Sequence, residues 1–550
     1  MIGLALSGGG FRAAFFHVGV LARLAETGLL PKVEVISTVS GGSIVGAAYY
    51  LRLRRLLNEK TDAEISGDDY VRLVAEVERM LRDAVRKDIR ARIFANPGKN
   101  LQMLLSPGYS RSDRIGDLYD RHLYKQAWEE SRRRRSANRE EQIEMRELLV
   151  EPGGDATFDL EDEEKGNGKR RAKVPALLIN ATTLNSGHNW RFEAIRMGEP
   201  LPSDPRRATI VRETDTNMRL APGYFPPRDP ESGRTAPAPH VPARQAGFPL
   251  GLAVAASACV PGAFYPLAIS GMYRNDDGAI RVRLVDGGVQ DNQGVQGLLD
   301  RRCTRLIVSD ASGQLKDKRR PRSWLPLSLA RSASIAGDRI RDEQLTYLPS
   351  GERKYALMHL RKGLDAPALS PGPDQATPTS EREPEYATTE FGVDPDVQRA
   401  LSEVRTDLDF FSDTEAHSLE LDGYLMSDKE LGLRGFDALG EPSLVPTEDH
   451  AWDFAALTET ISAPDAAYLR KLRAGRQKFF RLLWLRPGLA AALALLVLVV
   501  LAAVVRGFCA GANALDASGP LRAVVALVLA FVAVFVWANV TAWTARRYGS

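Results

Sequence analysis

The first sixty residues repeat one local pattern twice: a short apolar strand, a glycine-bearing turn, then a helix. Residues 2–6 read as a buried strand, Gly8-Gly9-Gly10 as the turn, and Phe11 to Thr27 as a helix stopped by Gly28 and Pro31. Val33 to Thr38 is a second strand and Ile44 to Leu57 a second helix, with Val39-Ser40-Gly41-Gly42-Ser43 between them. Strand, helix, strand, helix at this spacing requires parallel strands covered by helices, so the expected fold class is α/β with a mainly parallel sheet in a three-layer domain. Further strands are expected at 174–181, 189–195, 281–285, 305–309 and 355–360, and helices at 250–258 and, as a pair, within 394–426. Asp276-Asp277-Gly278 reads as a hairpin turn.

Both turns carry chemistry. Glycines between a strand and a helix start expose successive backbone N–H groups to an anion, which the helix dipole also favours. Gly8-x-Gly10-x-x-Ala13 satisfies a relaxed dinucleotide fingerprint, but the second strand ends Ser37-Thr38, without the acid that would hold a ribose. An oxyanion hole is the better reading. The second turn has the form of a nucleophile elbow, in which a serine sits on a tight bend with small neighbours and the next N–H points at the reacting oxygen. Ser40 has Gly42 in the required place after it, although Thr38 stands where the motif has glycine before it. Ser43, with Val45 after it, reads as a helix N-cap. Asp286 follows an apolar strand and precedes Gly287-Gly288. His17 reads as structural. His359 lies in a strand-like segment, though Ser40, Asp286, His359 would follow the chain order of an α/β-hydrolase triad. No HExxH or CxxC spacing occurs, so no metal or cofactor is expected.

Taken together, Gly8-Gly9-Gly10-x-Arg12, the elbow at Ser40 and Val285-Asp286-Gly287-Gly288-Val289 with Asp291-Asn292 resemble the patatin-like phospholipases. Ile179-Asn180-Ala181-Thr182-Thr183 and Ala255-Ala256-Ser257-Ala258-Cys259-Val260-Pro261-Gly262 add to the likeness. The resemblance implies a Ser–Asp dyad in which Asp286 activates Ser40. Gly8, Gly9, Gly10 and Gly41 would then form the oxyanion hole, supported by Arg12. It implies a serine carboxylic-ester hydrolase acting on membrane lipids through an acyl-enzyme. The alternative is a catalytically silent scaffold that keeps the fold.

A length of 550 residues implies two or three structural units. The expected division is a catalytic domain over 1–430 with polar insertions near 130–173 and 199–247, a linker and basic juxtamembrane helix over 431–486, and a two-helix transmembrane hairpin over 487–550. Residues 151–173 hold few apolar side chains and are expected to be mobile. Gly488 to Val505 and Ala523 to Ala538 are unbroken apolar runs, each approaching the ~20 residues that cross a bilayer. Bases from Arg470 to Arg486 and at Arg546 and Arg547 flank the pair, while Arg506 and Arg522 lie between the two runs. The positive-inside bias therefore predicts an integral membrane protein with both termini and the main domain cytoplasmic. The N-terminus lacks a basic, signal-peptide-like start. Net charge of +3 argues against nucleic acid as partner, and Cys259, Cys303 and Cys509 form no disulfide framework, as in a reducing compartment.

Overall fold

The computed structural model describes residues 1–86, 111–125, 127–128, 142–225, 240–349, 353–364 and 388–476, apart from 156, 161, 163, 164, 203, 243, 244, 314, 316, 322, 407 and 409. The strands are β1 (Ile2–Leu6), β2 (Val33–Val39), β3 (Ala176–Thr183), β4 (Asn189–Phe192), β5 (Arg196–Gly198), β6 (Gly223–Tyr224), β7 (Leu267–Asn275), β8 (Gly278–Asp286), β9 (Arg305–Asp310) and β10 (Lys354–His359). They form one sheet in the order β10-β9-β1-β2-β3-β4-β5-β6, with the β7–β8 hairpin joined to β3. The side that carries both glycine turns, β10 through β3, is parallel throughout. β1 is buried along its whole length, as a parallel strand covered on both faces must be. The antiparallel strands complete the sheet on the other side of β3 and through β8.

The helices used below are α1 (Gly10–Glu26), α2 (Gly41–Glu59), α3 (Gly67–Arg86), α4 (Arg111–Tyr119), α5 (Leu250–Ser257), α6 (Gly288–Asp291), α7 (Leu325–Thr346) and α8 (Asp413–Leu433). α1 is apolar nearly all round, and fifteen of its seventeen residues are buried, because it lies between the sheet and α8. Two glycines let α1 and α8 approach backbone to backbone. A Cβ on Gly19 would collide with the Glu420 carbonyl oxygen, and one on Gly423 with the Phe16 carbonyl oxygen. Because neither obstacle is a flexible side-chain end, Gly423→Ala is expected to destabilise the fold by about 2 kcal/mol, read as a lower denaturation midpoint.

Two stretches are more ordered than their composition implies. The described residues of 151–173, a stretch expected to be mobile, are held by partners elsewhere. The N–H groups of Arg171 and Ala172 each donate to the Asp62 carboxylate at 2.9 Å, and Phe158 and Ala172 are buried. The described part of the expected linker, 431–476, also packs onto the domain. Phe436, Leu444, Trp452, Phe454, Ile461 and Leu472 enter the main core, and Trp452 Nε1 donates to Glu26 Oε1 at 2.7 Å. Its apolar residues fall on short 3₁₀ turns and two brief helices, so no long period marks them as core.

Among the described residues, no helix is long and apolar enough to cross a membrane. The apolar runs 488–505 and 523–538 lie outside the described residues, as do the basic run Arg132–Arg135 and residues 477–486.

Candidate active site

β3 is the template on which the elbow and the Asp286 turn meet. Its first half pairs in parallel with β2, ending with Val39 opposite Asn180. The next residue, Ala181, stands opposite Asp286 at the end of antiparallel β8. With β4 on the other edge of β3, β2 and β8 run toward each other along one edge, and their C-terminal ends converge. The residue after Val39 is Ser40.

Ser40 occupies the bend between β2 and α2 at φ 49° and ψ −113°, and only one other non-glycine residue described, Arg302, has positive φ. Such a conformation costs of order 1–3 kcal/mol and persists only where the surroundings fix it. Here the Ser40 N–H donates to Ser257 Oγ at 2.9 Å, and the Ser257 hydroxyl donates to the Asn180 carbonyl at 2.6 Å. Gly41 and Gly42 are required by crowding: a Cβ at either would strike a carbonyl oxygen, of Gly10 or of Leu6. The place of the motif's first glycine is met differently. Thr38 donates to the Leu178 carbonyl at 3.0 Å, and its methyl fits against α2 because Gly46 has no side chain; a Cβ there would lie 2.6 Å from Thr38 Cγ2.

Asp286 and Ser40 are each 6% exposed. The Gly288 N–H donates to Asp286 Oδ1 at 2.7 Å. Burial raises the Asp286 carboxyl to about 6, against the opposing pull of the Gly288 N–H and the neighbouring Ser40 hydroxyl. A carboxylate that would be too weak a base in water is thereby moved toward neutrality.

The five residues expected to form or support an oxyanion hole divide into two groups. Gly9 and Gly10, at φ 138° and 59°, and Gly41 end at the two adjoining helix starts, and their N–H groups have no backbone acceptor among the described residues. A Cβ on Gly41 would lie 2.8 Å from Gly10 N, so the two turns are in direct contact. Gly8 does other work, which corrects the expectation for it, and Arg12 supports the loop from outside the hole. The Gly8 N–H donates to the Asn292 carbonyl at 2.9 Å. The Arg12 guanidinium turns away, donating to the carbonyls of Ala311, Ser402 and Val404 at 2.9, 3.0 and 2.8 Å. Arg12 thus ties the glycine loop to the C-terminal part of the domain. Burial lowers its pKa to about 10, which leaves it charged at neutral pH.

The other candidates are engaged elsewhere. Ser43 is fully buried, donates to Thr38 Oγ1 at 2.9 Å and lies 2.8 Å from Ser257 Oγ. His17, under the glycine loop, donates from Nε2 to the Ser7 carbonyl at 3.0 Å and accepts at Nδ1 from Ser309; burial lowers it to about 4, so it is neutral. His359 closes β10 beside Asp310, 3.7 Å away, and its Nδ1 accepts the Arg361 N–H. Among the described residues, no hydrogen bond joins it to Ser40 or Asp286. Sequence reasoning missed Ser257 and Asn292. Ser257 lies in the stretch Ala255–Gly262, whose small residues mark close packing but do not show which neighbour the hydroxyl holds. Away from the elbow, Glu78, His417 and Asp453 bring ligand atoms within 4.8 Å of one another. The cation among them is Arg82, which donates to His417 Nε2 at 2.9 Å and to Asp453 at 2.5 Å.

Among solved structures, human GIVD cytosolic phospholipase A2 bound to methyl gamma-linolenyl fluorophosphonate is similar at 13% identity; the match covers 80% of this chain and 59% of that one, with TM-score 0.37. VipD from Legionella pneumophila is similar at 13% identity, covering 79% of this chain and 66% of its own, with TM-score 0.25. The chain therefore spans less than two thirds of the length of either. None of the curated protein sequences compared with it matches. The family model for patatin-like phospholipase matches residues 4–299, more than half of the 550 residues and the stretch holding the glycine loop, the elbow and Asp286. This chain belongs to the patatin-like phospholipase family.

Proposed function

We propose that the protein is a lipid acyl-ester hydrolase of the phospholipase A or lysophospholipase type, working through a Ser40–Asp286 dyad. The observation that supports this reading is Ser40, held on a strained bend beside a buried carboxyl group whose ionised form its hydroxyl favours. In the first step the Asp286 carboxylate takes the hydroxyl proton as Ser40 Oγ bonds to the ester carbonyl carbon. The oxygen that becomes negative faces the N–H groups of Gly9, Gly10 and Gly41, which are already oriented and so need no rearrangement. Collapse breaks the bond to the alcohol, and Asp286 returns its proton to the departing oxygen. Water then attacks the acyl-enzyme, giving its proton to Asp286 and its oxygen to the acid product. The proton passes back to Ser40 Oγ as the acyl–oxygen bond breaks. No histidine and no cofactor enters the scheme. Phospholipids and lysophospholipids are the first substrate class, and neutral glycerides the second.

The base must be ionised, so the pH profile of kcat/KM tests the assignment. With Asp286 raised to about 6, kcat/KM on a soluble ester is expected to rise about tenfold per pH unit below 6 and to level off above it. A His359→Ala variant should keep that profile. A flat profile between pH 4 and 7 in the wild type, or an inflection lost in His359→Ala, would remove Asp286 as the base.

A further inference from the structure

α7 is a 22-residue helix that lies with an apolar stripe turned to solvent. Its domain-facing side is set by Arg341, which is buried, and by Leu345, which packs on the smaller core cluster. The opposite side carries Leu325, Ala333, Leu329, Ala336 and Ile340, spaced by three and four residues and therefore aligned on one face. Leu325 is 68% exposed, Leu329 61%, and Trp324, just before the helix, 68%. Folding alone gives no reason to leave such a stripe in water, where it would bury no apolar area.

Two further observations point to what covers it. Immediately before the helix, Lys318, Arg319 and Arg320 are all exposed, with Asp317 the one acid beside them. In addition, α7 packs against α6, which starts two residues after Asp286 and exposes Val289. The turn after α5, whose Cys259 carbonyl accepts the Asp286 N–H, exposes Val260 and Tyr265 in the same way. An apolar stripe, a basic run and the mouth of the site are thus contiguous. A second copy of the chain on a two-fold axis would bring the same basic run against itself.

We infer that α7 is an interfacial docking helix, which lies on an anionic lipid bilayer with Leu325 and Leu329 among the acyl chains and Lys318–Arg320 at the headgroups. The bilayer then supplies substrate directly to the Ser40 side of the sheet. Interfacial helices of this kind combine apolar burial with the attraction of their bases to an anionic surface. The inference rests on the proposed lipid substrate for its purpose, but not for its geometry.

Two measurements on the full chain in vesicles test it. In a Cys509→Ser background, Leu329→Cys is labelled with an environment-sensitive fluorophore; Cys259 and Cys303 are buried. In vesicles of phosphatidylcholine with phosphatidylserine, nitroxide-bearing lipid is expected to quench the label, and phosphatidylcholine alone to give weaker quenching. Quenching only by aqueous iodide would leave the stripe in water, and quenching by neither would mean that protein covers it; both results overturn the inference. In parallel, the double variant L325D/L329D is expected to hydrolyse vesicle phospholipid about tenfold more slowly or worse, while soluble ester turnover stays unchanged. Equal loss on both substrates would overturn docking as the cause. If the wild type cleaves neither substrate, the hydrolase reading fails while the quenching result still decides docking.

Discussion

Ser40→Ala is expected to reduce turnover of a short-chain chromogenic ester by about 10⁴-fold or more, whereas Ser43→Ala should stay within about tenfold of wild type. The contrast follows from position. Both serines lie within four residues of each other at the start of α2, and both sit beside Ser257 through a backbone or side-chain bond. Only Ser40 lies on the positive-φ bend, and of the two hydroxyls only its own acts on the Asp286 carboxyl. The Ser43 hydroxyl is the middle of a buried chain that runs through Thr38 to the Leu178 carbonyl, so its removal loosens the elbow without removing the attacking atom. The Ser40 variant should also keep its fold, since its strained backbone is fixed by main-chain contacts that alanine retains. Circular dichroism of the two variants would establish that, and an active Ser40→Ala enzyme would end the assignment.

Asp286→Asn should move activity and stability in opposite directions. Asparagine cannot take the Ser40 proton, so turnover is expected to fall about 10³-fold or more. Yet the native carboxyl, raised to about 6 by burial, lies above the value of about 4 it has in an unfolded chain. The folded state therefore binds the proton more tightly. The stability it contributes is complete below about pH 4 and is lost as pH rises through 6. At pH 7 the wild type carries a buried, ionised group, and the amide removes it while still accepting the Gly288 N–H. The variant is expected to be more stable by about 2 kcal/mol at pH 7, with the difference vanishing toward pH 4. Thermal melts across that range would measure it, and a variant less stable at pH 7 would mean that the carboxylate is a net structural support.

The elements that place the site were legible because each rests on local chemistry. Buried runs such as Ile2–Leu6 and Val33–Val39, and glycines at the turns, behave alike in most contexts. The β7–β8 hairpin turn at Asp276-Asp277-Gly278 was readable for the same reason, with Gly278 at φ 127°. The meeting of Ser40 with Asp286 was legible only as a resemblance, since its cause is the register of β3 against two strands that lie far apart in sequence. Gly8 shows the limit of a motif. The pattern marks the loop, but which N–H is free depends on the Asn292 carbonyl, which arrives from nearly 300 residues away. α7 shows no core-facing period in the sequence because several of its large apolar residues, Leu325 and Leu329 among them, face water.

The most direct test of the account is to treat the full chain with a fluorophosphonate probe and map the adduct by mass spectrometry. A single adduct is expected, on Ser40, absent from Ser40→Ala, retained by Ser43→Ala and formed far more slowly by Asp286→Asn. An adduct on Ser43 or on another serine, or an Asp286→Asn protein that reacts at the wild-type rate, would contradict it.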